Sequence, residues 1–219
     1  MDFEWHLFVD SLPSLLYGAR TTVALASAAA VFGLIIGVSL ALLHATAFPP
    51  LVWLVTGWTT LMRSLPLLVT LLFLYYGLPS IGILLSAVTV AIIAMSITTG
   101  AFVTEIMRAG IESIDRGQIR AAKSLGMSWV QSMRLVILPQ AFRRVLPPLT
   151  NEAITLLKST ALVSVIAIPD LLRAGTDIMT WKANTFSPFA GVALVYLCLT
   201  LPLVALNAYL EQGIKRSQR

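Results

Sequence analysis

Charge is scarce in this 219-residue chain: 15 Lys and Arg with 10 Asp and Glu make 11% of the residues, where soluble domains carry about 25%. A surface with so few charges cannot stay in water around a chain that is 58% hydrophobic, with a mean hydropathy of +0.87. Lipid is therefore expected as part of its solvent. The single cysteine, Cys198, excludes an intrachain disulfide. The two histidines, His6 and His44, stand alone at opposite span ends and read as interfacial residues, so no metal site is expected. A G-x-x-x-x-G-K-[ST] phosphate-binding loop is missing, which excludes a nucleotide-hydrolysing motor within this chain. No nucleophile-base pair or paired acids suggest covalent chemistry, and no catalytic residue is assigned. The opening "MDFEWHLFVDSLPSLL" is acidic and lacks the basic start of a secretory signal, and reads as an amphipathic piece on the outer face.

What the sequence does have is long apolar runs. A helix needs about 20 such residues to cross about 30 Å of hydrocarbon. Residues 21–43 are uncharged and rich in small side chains, giving a first span. No charge occurs over 64–104, where "GLPSIG" at 77–82 marks a turn between spans at about 64–78 and 84–105. The short stretch 50–62 either lies at the interface or continues the second span with a bend. A fourth span is expected over about 149–168, although it contains Glu152 and Lys158, and a fifth over 189–210, kinked at Pro202. The expectation is a single all-α transmembrane domain over 1–219, with five spans and a long polar loop at about 108–148.

Basic residues beside membrane spans stay on the cytoplasmic side. With five spans and the amino terminus outside, Arg63, the 108–144 block and Lys215, Arg216 and Arg219 fall inside, while Arg20, Arg173 and Lys182 fall outside. The block alone carries seven basic side chains (Arg108, Arg116, Arg120, Lys123, Arg134, Arg143, Arg144) against Glu112 and Asp115. That excess of five equals the chain's net charge of +5, so the basicity needs no nucleic acid to explain it. Glu105 and Arg108, three residues apart, read as an interfacial pair anchoring the loop.

Within the loop, Asp115 with Gln118 and Ser128 with Gln131 are helix-start signals, and Gly126 between them is a helix end. The prediction is helix, glycine turn, helix, with Pro139 ending or kinking the second. Trp129, Val130, Met133, Val136 and Ile137 share one face of that helix, with Gln131, Ser132 and Arg134 elsewhere. Ala121 and Ala122 leave room for another surface to approach. Three readings stand: a hairpin on anionic lipid, a DNA-binding helix-turn-helix, or a docking knob for a cytoplasmic partner. The second is disfavoured because both ends are tied to spans.

The stretch "AAKSLGMSWVQSMRLVILPQAFR" resembles the EAA or coupling loop of permease subunits in bacterial ABC importers. Ala121, Ala122, Gly126, Ile137, Leu138 and Pro139 stand at its characteristic positions, and Arg120 replaces the acidic residue that usually precedes the alanines. Further segments, "LPSLLYGARTTVALA" at 12–26, "MRSLPLLVTLLFLYYGLP" at 62–79, "EIMRAGIESIDRGQ" at 105–118 and "LLKSTALVSVIAIPDLL" at 156–172, resemble the polar amino acid branch of those permeases. The resemblance implies a type I importer permease in the bacterial inner membrane. It implies a second permease subunit, identical or homologous, a pair of ATP-binding subunits, and a periplasmic or lipid-anchored amino acid binding protein. ATP and Mg would sit on the ATPase, with no cofactor on this chain, and the expected partners include membrane lipid but no nucleic acid. Transport would proceed by alternating access. An ion-coupled secondary transporter is the alternative, though an internal repeat of the kind many such transporters show is not evident.

Ionisable residues within a span are functional candidates. Were the fourth helix to start near Leu149, Lys158 would lie about 14 Å deep, near the midplane. Asn151, Thr155 and Lys158 form one stripe at i, i+4 and i+7, with Glu152 and Ser159 beside it. Lys158 would face the translocation path and meet a substrate carboxylate, with Thr155, Ser159 and Thr160 as polar lining. Alternatively it bonds carbonyls at a helix break, pairs with an acid on a neighbouring span or subunit, or snorkels.

Overall fold

The computed structural model describes residues 3–46 and 48–217, and side chains as far as residue 214. Met1, Asp2 and Arg219 and the side chains of Lys215 and Arg216, which the sequence reading assigned to the two faces, lie outside the described residues. Nine α-helices and no strand are found among those described. Helix α1 runs Trp5–Ala45, α2 Pro49–Ser64, α3 Leu67–Ser80 and α4 Ala87–Glu112. Helix α5 is Arg116–Ser124 and α6 Trp129–Ser132, followed by a π turn, Met133–Ile137. Helix α7 is Leu138–Ser159, extended by a 3-10 segment, Thr160–Ile166; α8 is Leu171–Lys182 and α9 Phe186–Ser217.

Four long helices are apolar enough to cross a membrane, and α2 with α3, bent by 97° at the break between them, passes the same test of length and composition as a pair. The bend follows from Pro66, which disfavours helical geometry at the residue before it: Leu65 is extended, at φ −90° and ψ 131°. Residues 50–62 thus belong to α2, which meets α3 across this bend. The amino-terminal piece departs from expectation, because residues 5–20 are the first turns of α1 and not a separate surface segment. Leu7, Ser11, Leu15 and Gly18 are buried there, since α8 and α9 pack along this half of α1; Leu15 and Ala19 share a core with Leu171, Val192 and Val195.

The third span runs past 105 to Glu112. Ser86 caps its start by accepting from the Thr89 N–H at 3.1 Å, and charged pairs at i, i+3 and i, i+4 carry its last turns. Helix α7 of the fourth span starts at Leu138, eleven residues before the expected Leu149, and Pro139 does not end the helical run, which is continuous from Trp129 to Ile166. Pro139 occupies the first turn of α7, where its missing N–H is not needed. The π turn before it lets the Leu138 N–H bond Met133 O instead, and the Gln140 side chain donates to Val136 O at 2.8 Å.

The centre of the bundle is the seam between α1 and α4. Buried Ala29, Gly33, Gly37 and Ala41 recur every fourth residue on α1 and meet Gly100 and Val103 of α4. A Cβ on Gly37 would lie 2.4 Å from Val103 Cγ1, and one on Gly100 would lie 2.7 Å from Ile36 Cγ2. Small residues here let the helix backbones touch, which is how helices associate where lipid offers no hydrophobic drive.

Candidate functional site

The loop of the sequence reading folds as a compact hairpin. Asp115 starts α5 by accepting from the Gly117 N–H at 2.6 Å. The helix ends in a Schellman motif: the Gly126 N–H bonds Lys123 O at 2.9 Å and the Met127 N–H bonds Ala122 O at 3.1 Å. Gly126 has φ +77°, a left-handed conformation that glycine adopts without a steric penalty. Ser128 and Gln131 then form a reciprocal capping box at the start of α6, at 3.2 and 2.8 Å.

The six residues at the positions that carry the loop's resemblance divide by exposure. Ala122 and Ile137 are buried, Leu138 is half-buried, and Ala121, Gly126 and Pro139 are exposed. Ala122 is therefore closed against its own chain, and Ala121 is the small residue left exposed. Ile137 and Met133 pack with Ile114 and Ala141, joining the hairpin to the adjoining ends of α4 and α7. The single apolar face expected on the second helix is split: Met133 and Ile137 turn inward, while Trp129 and Val130 are exposed. Ser132, expected elsewhere, is buried. The cause is the π turn, whose extra residue shifts the helical register. Because α6 has four residues and merges into α7, the hairpin offers no free recognition helix for a DNA groove.

Two polar contacts that spacing did not reveal hold this end together. Arg144 of α7 donates from one guanidinium nitrogen to the carbonyl and hydroxyl of Ser113, the residue that ends α4. Those partners are 31 residues apart in sequence, so no local periodicity pointed to them. Arg63 of α2 approaches Glu105 at 3.3 Å, and Arg108 bonds Glu105 and Glu112, each at 2.8 Å. The Glu105–Arg108 anchor is thus formed, and it is enlarged into a four-member network. Arg63, Arg108, Arg144 and the hairpin all lie at one end of the bundle. At the other end, the Glu4 N–H bonds Ser187 Oγ at 2.8 Å and Arg173 pairs with Asp177 at 2.9 Å.

On α7 the stripe is present: Asn151, Thr155 and Lys158 are exposed, with Glu152 and Ser159 half-buried beside it. Lys158 has no hydrogen-bond or ion-pair partner among the described residues. Since α7 starts early, Lys158 sits in its last turn and not its middle. Its neighbours Leu156 and Val163 nevertheless pack with Leu25 and Ala29, at the centre of the 41-residue α1, so it remains at mid-bundle height. The hydroxyls of Thr155 and Ser159 bond back to Asn151 O and Thr155 O at 3.1 and 2.9 Å. Thr160 is corrected: it is fully buried and donates to Leu157 O at 2.8 Å. The tightening from α to 3-10 at that residue turns it inward, so it does not line a path.

Comparison with known proteins agrees with this architecture. Residues 30–216 match the family described as binding-protein-dependent transport system inner membrane component. The arginine transport system permease protein ArtQ of Bacillus subtilis (strain 168) is 33% identical, over 98% of this chain and 99% of that protein. The probable glutamine ABC transporter permease protein GlnM of the same organism is 38% identical, over 88% and 90%. The crystal structure of an amino acid ABC transporter with histidines superposes with a TM-score of 0.91 at 36% identity, covering 97% of this chain and 100% of that one. The chain belongs to the family of binding-protein-dependent transport system inner membrane components, the permease subunits of ABC importers.

Proposed function

We propose that this chain forms half of the membrane pathway of an ATP-driven importer for polar amino acids. It would pair with a second permease subunit, rest on two ATP-binding subunits, and receive substrate from an amino acid binding protein outside. ATP and Mg would be held by the ATPase. The names of the relatives support amino acids as cargo and favour ATP over a cation gradient as the drive. The clustering of Arg63, Arg108, Arg144 and the hairpin at one end supports a cytoplasmic position for that end, with the amino terminus outside and the carboxy terminus inside.

The hairpin would be the coupling element. Its exposed Ala121 and Gly126 make a low surface that a groove on the ATPase can approach, and its buried side is continuous with α4 and α7. Closure of the ATPase pair on ATP would move the hairpin, α4 and α7 together and switch the path between its two openings. A pull-down with the ATPase subunit, wild type against Gly126→Pro, tests this. The variant is expected to lose the ATPase or its stimulation by substrate; undiminished binding and stimulation would reduce the hairpin to a surface feature.

The single observation that carries the substrate path is Lys158, an exposed cation at mid-bundle height without a partner among the described residues. An unpaired ammonium within a membrane is costly, so an anion from outside the chain is called for. Every amino acid brings a carboxylate, and glutamate or aspartate brings two. Lys158→Met is expected to lower uptake by the reconstituted assembly more than tenfold, the worth of a charge-assisted hydrogen bond, while ATPase activity without substrate is retained. Wild-type uptake by that variant would end the carboxylate role.

A further inference from the structure

Arg144 is occupied by Ser113, but Arg143 beside it has no hydrogen bond or ion pair among the described residues. It lines a cleft of 460 Å³ between the start of α7 and the last turns of α9, with Gln140 and Arg144 on one wall and Tyr209, Leu210 and Ile214 on the other. The composition of this cleft is asymmetric. Among the described residues two arginines and no acidic group line it, whereas the neighbouring cleft at the same end contains Glu105 with Arg63 and Arg144. Tyr209 is 74% exposed, at the inner end of the uncharged run 189–210, where the ring of a tyrosine meets headgroups. The remaining lining is aliphatic, suited to acyl chains.

We propose that this cleft binds one anionic phospholipid, its phosphate against Arg143 and Arg144 and its acyl chains along Leu146, Leu210 and Ile214. A basic pocket between membrane helices at the headgroup level has the charge, depth and apolar floor such a lipid requires. A zwitterionic lipid would gain less, because its ammonium meets no carboxylate there. Bound at this point, the lipid would bridge α7, whose first turns adjoin the hairpin, to the end of α9. The inference rests on the proposed orientation only for which leaflet supplies the lipid.

The test uses the chain assembled with its ATPase subunits in nanodiscs with the same lipids in both leaflets, so leaflet identity does not enter. Photoactivatable phosphatidylglycerol and phosphatidylcholine are crosslinked in parallel, and labelling of residues 140–146 and 209–214 is quantified by mass spectrometry. Wild type is expected to favour phosphatidylglycerol about fivefold, the factor that one arginine contributes near an anionic surface. Arg143→Gln should bring the ratio close to one, and Lys182→Gln, at the opposite end, should leave it unchanged. Equal labelling by the two lipids in wild type would overturn the proposal, and that comparison needs no variant. So would a preference that survives Arg143→Gln, or labelling abolished by millimolar inorganic phosphate, which would make the cleft a site for free anions. The readout needs neither substrate nor ATP, so it can fail while the transporter reading stands, and loss of uptake would leave it untouched.

Discussion

The seam between α1 and α4 and the hairpin over 113–139 are held by opposite means. The seam is made by close packing: Gly33, Gly37 and Gly100 place backbone against neighbouring side chains, the methyl of Thr99 among them, and adding one carbon at Gly37 would bring it 2.4 Å from Val103. The hairpin buries few large side chains. It is defined by caps, a left-handed glycine and the Arg144–Ser113 contact, and it leaves Leu125 78% and Val130 64% exposed. In lipid, packing is the attraction left between apolar helices, so the seam is close and intolerant. At the membrane surface, polar caps define a shape that can be presented to another protein. The rigid region and the presented region meet at Ile114, Met133, Ile137 and Ala141.

The largest break in this comparison is expected at the seam. Gly37→Leu has nowhere to place its side chain, since Val103 Cγ1 and Gly100 O would lie within 3 Å of the new Cβ. Overpacking of this kind costs about 1–3 kcal/mol and sometimes more. Thermal unfolding of the purified chain in detergent should show a clear fall in Tm and in the yield of folded protein. A Tm equal to wild type would mean the helices part easily, contradicting the packing described. The same substitution at Gly57, which has no atom within 4 Å of its would-be Cβ, should be tolerated.

Much of this contrast was legible in the sequence, and the parts that were not share a physical cause. The apolar spans, the glycine that ends α5 and the Ser128 box are local, written within a few residues of one another. So was the Glu105–Arg108 pair. The early start of α7 was hidden by a misleading local rule: Pro139 signals a helix break unless the preceding turn widens, and nothing nearby marks a π turn. The burial of Thr160 depends on a change of helix type that begins at that residue. The bond from Arg144 to Ser113 joins residues that only the packed α4–α7 crossing brings together, where Gly110 lies so close that a Cβ would be 2.1 Å from Val145. The stripe Asn151–Thr155–Lys158 was readable as a face, but the sequence could not say which side of the bundle that face occupies.

An intermediate effect is expected from Arg144→Met, which leaves Gly110 and Val145 in contact but removes the polar clamp on Ser113. The contact is solvent-exposed, so its worth to stability is about 1 kcal/mol or less. Its larger consequence concerns motion: without the clamp, the α4 end and α7 can respond separately to a push on the hairpin. Substrate-stimulated ATP hydrolysis by the reconstituted assembly should fall relative to the unstimulated rate, with Tm little changed, and Arg144→Lys should restore part of it by reaching one of the two oxygens. Equal loss of stimulated and unstimulated rates, with no rescue by lysine, would show that Arg144 only supports the fold.

The smallest effect sharpens the comparison from the hairpin side. Ser128→Ala removes one half of the box that starts α6, leaving the Gln131 N–H without its acceptor at 3.2 Å. Loss of a helix cap costs about 1 kcal/mol, and here α6 is short and exposed, so the opening should stay local. Hydrogen exchange of the 128–132 amides is expected to accelerate, while the amides of 90–103 in the seam keep wild-type protection. If both regions accelerate together, the hairpin and the bundle unfold as one unit, and the division between a presented surface and a rigid core does not hold. If only the hairpin responds, the caps set its shape independently of the bundle. Its presentation to a partner can then be adjusted by single substitutions that leave the spans unaffected.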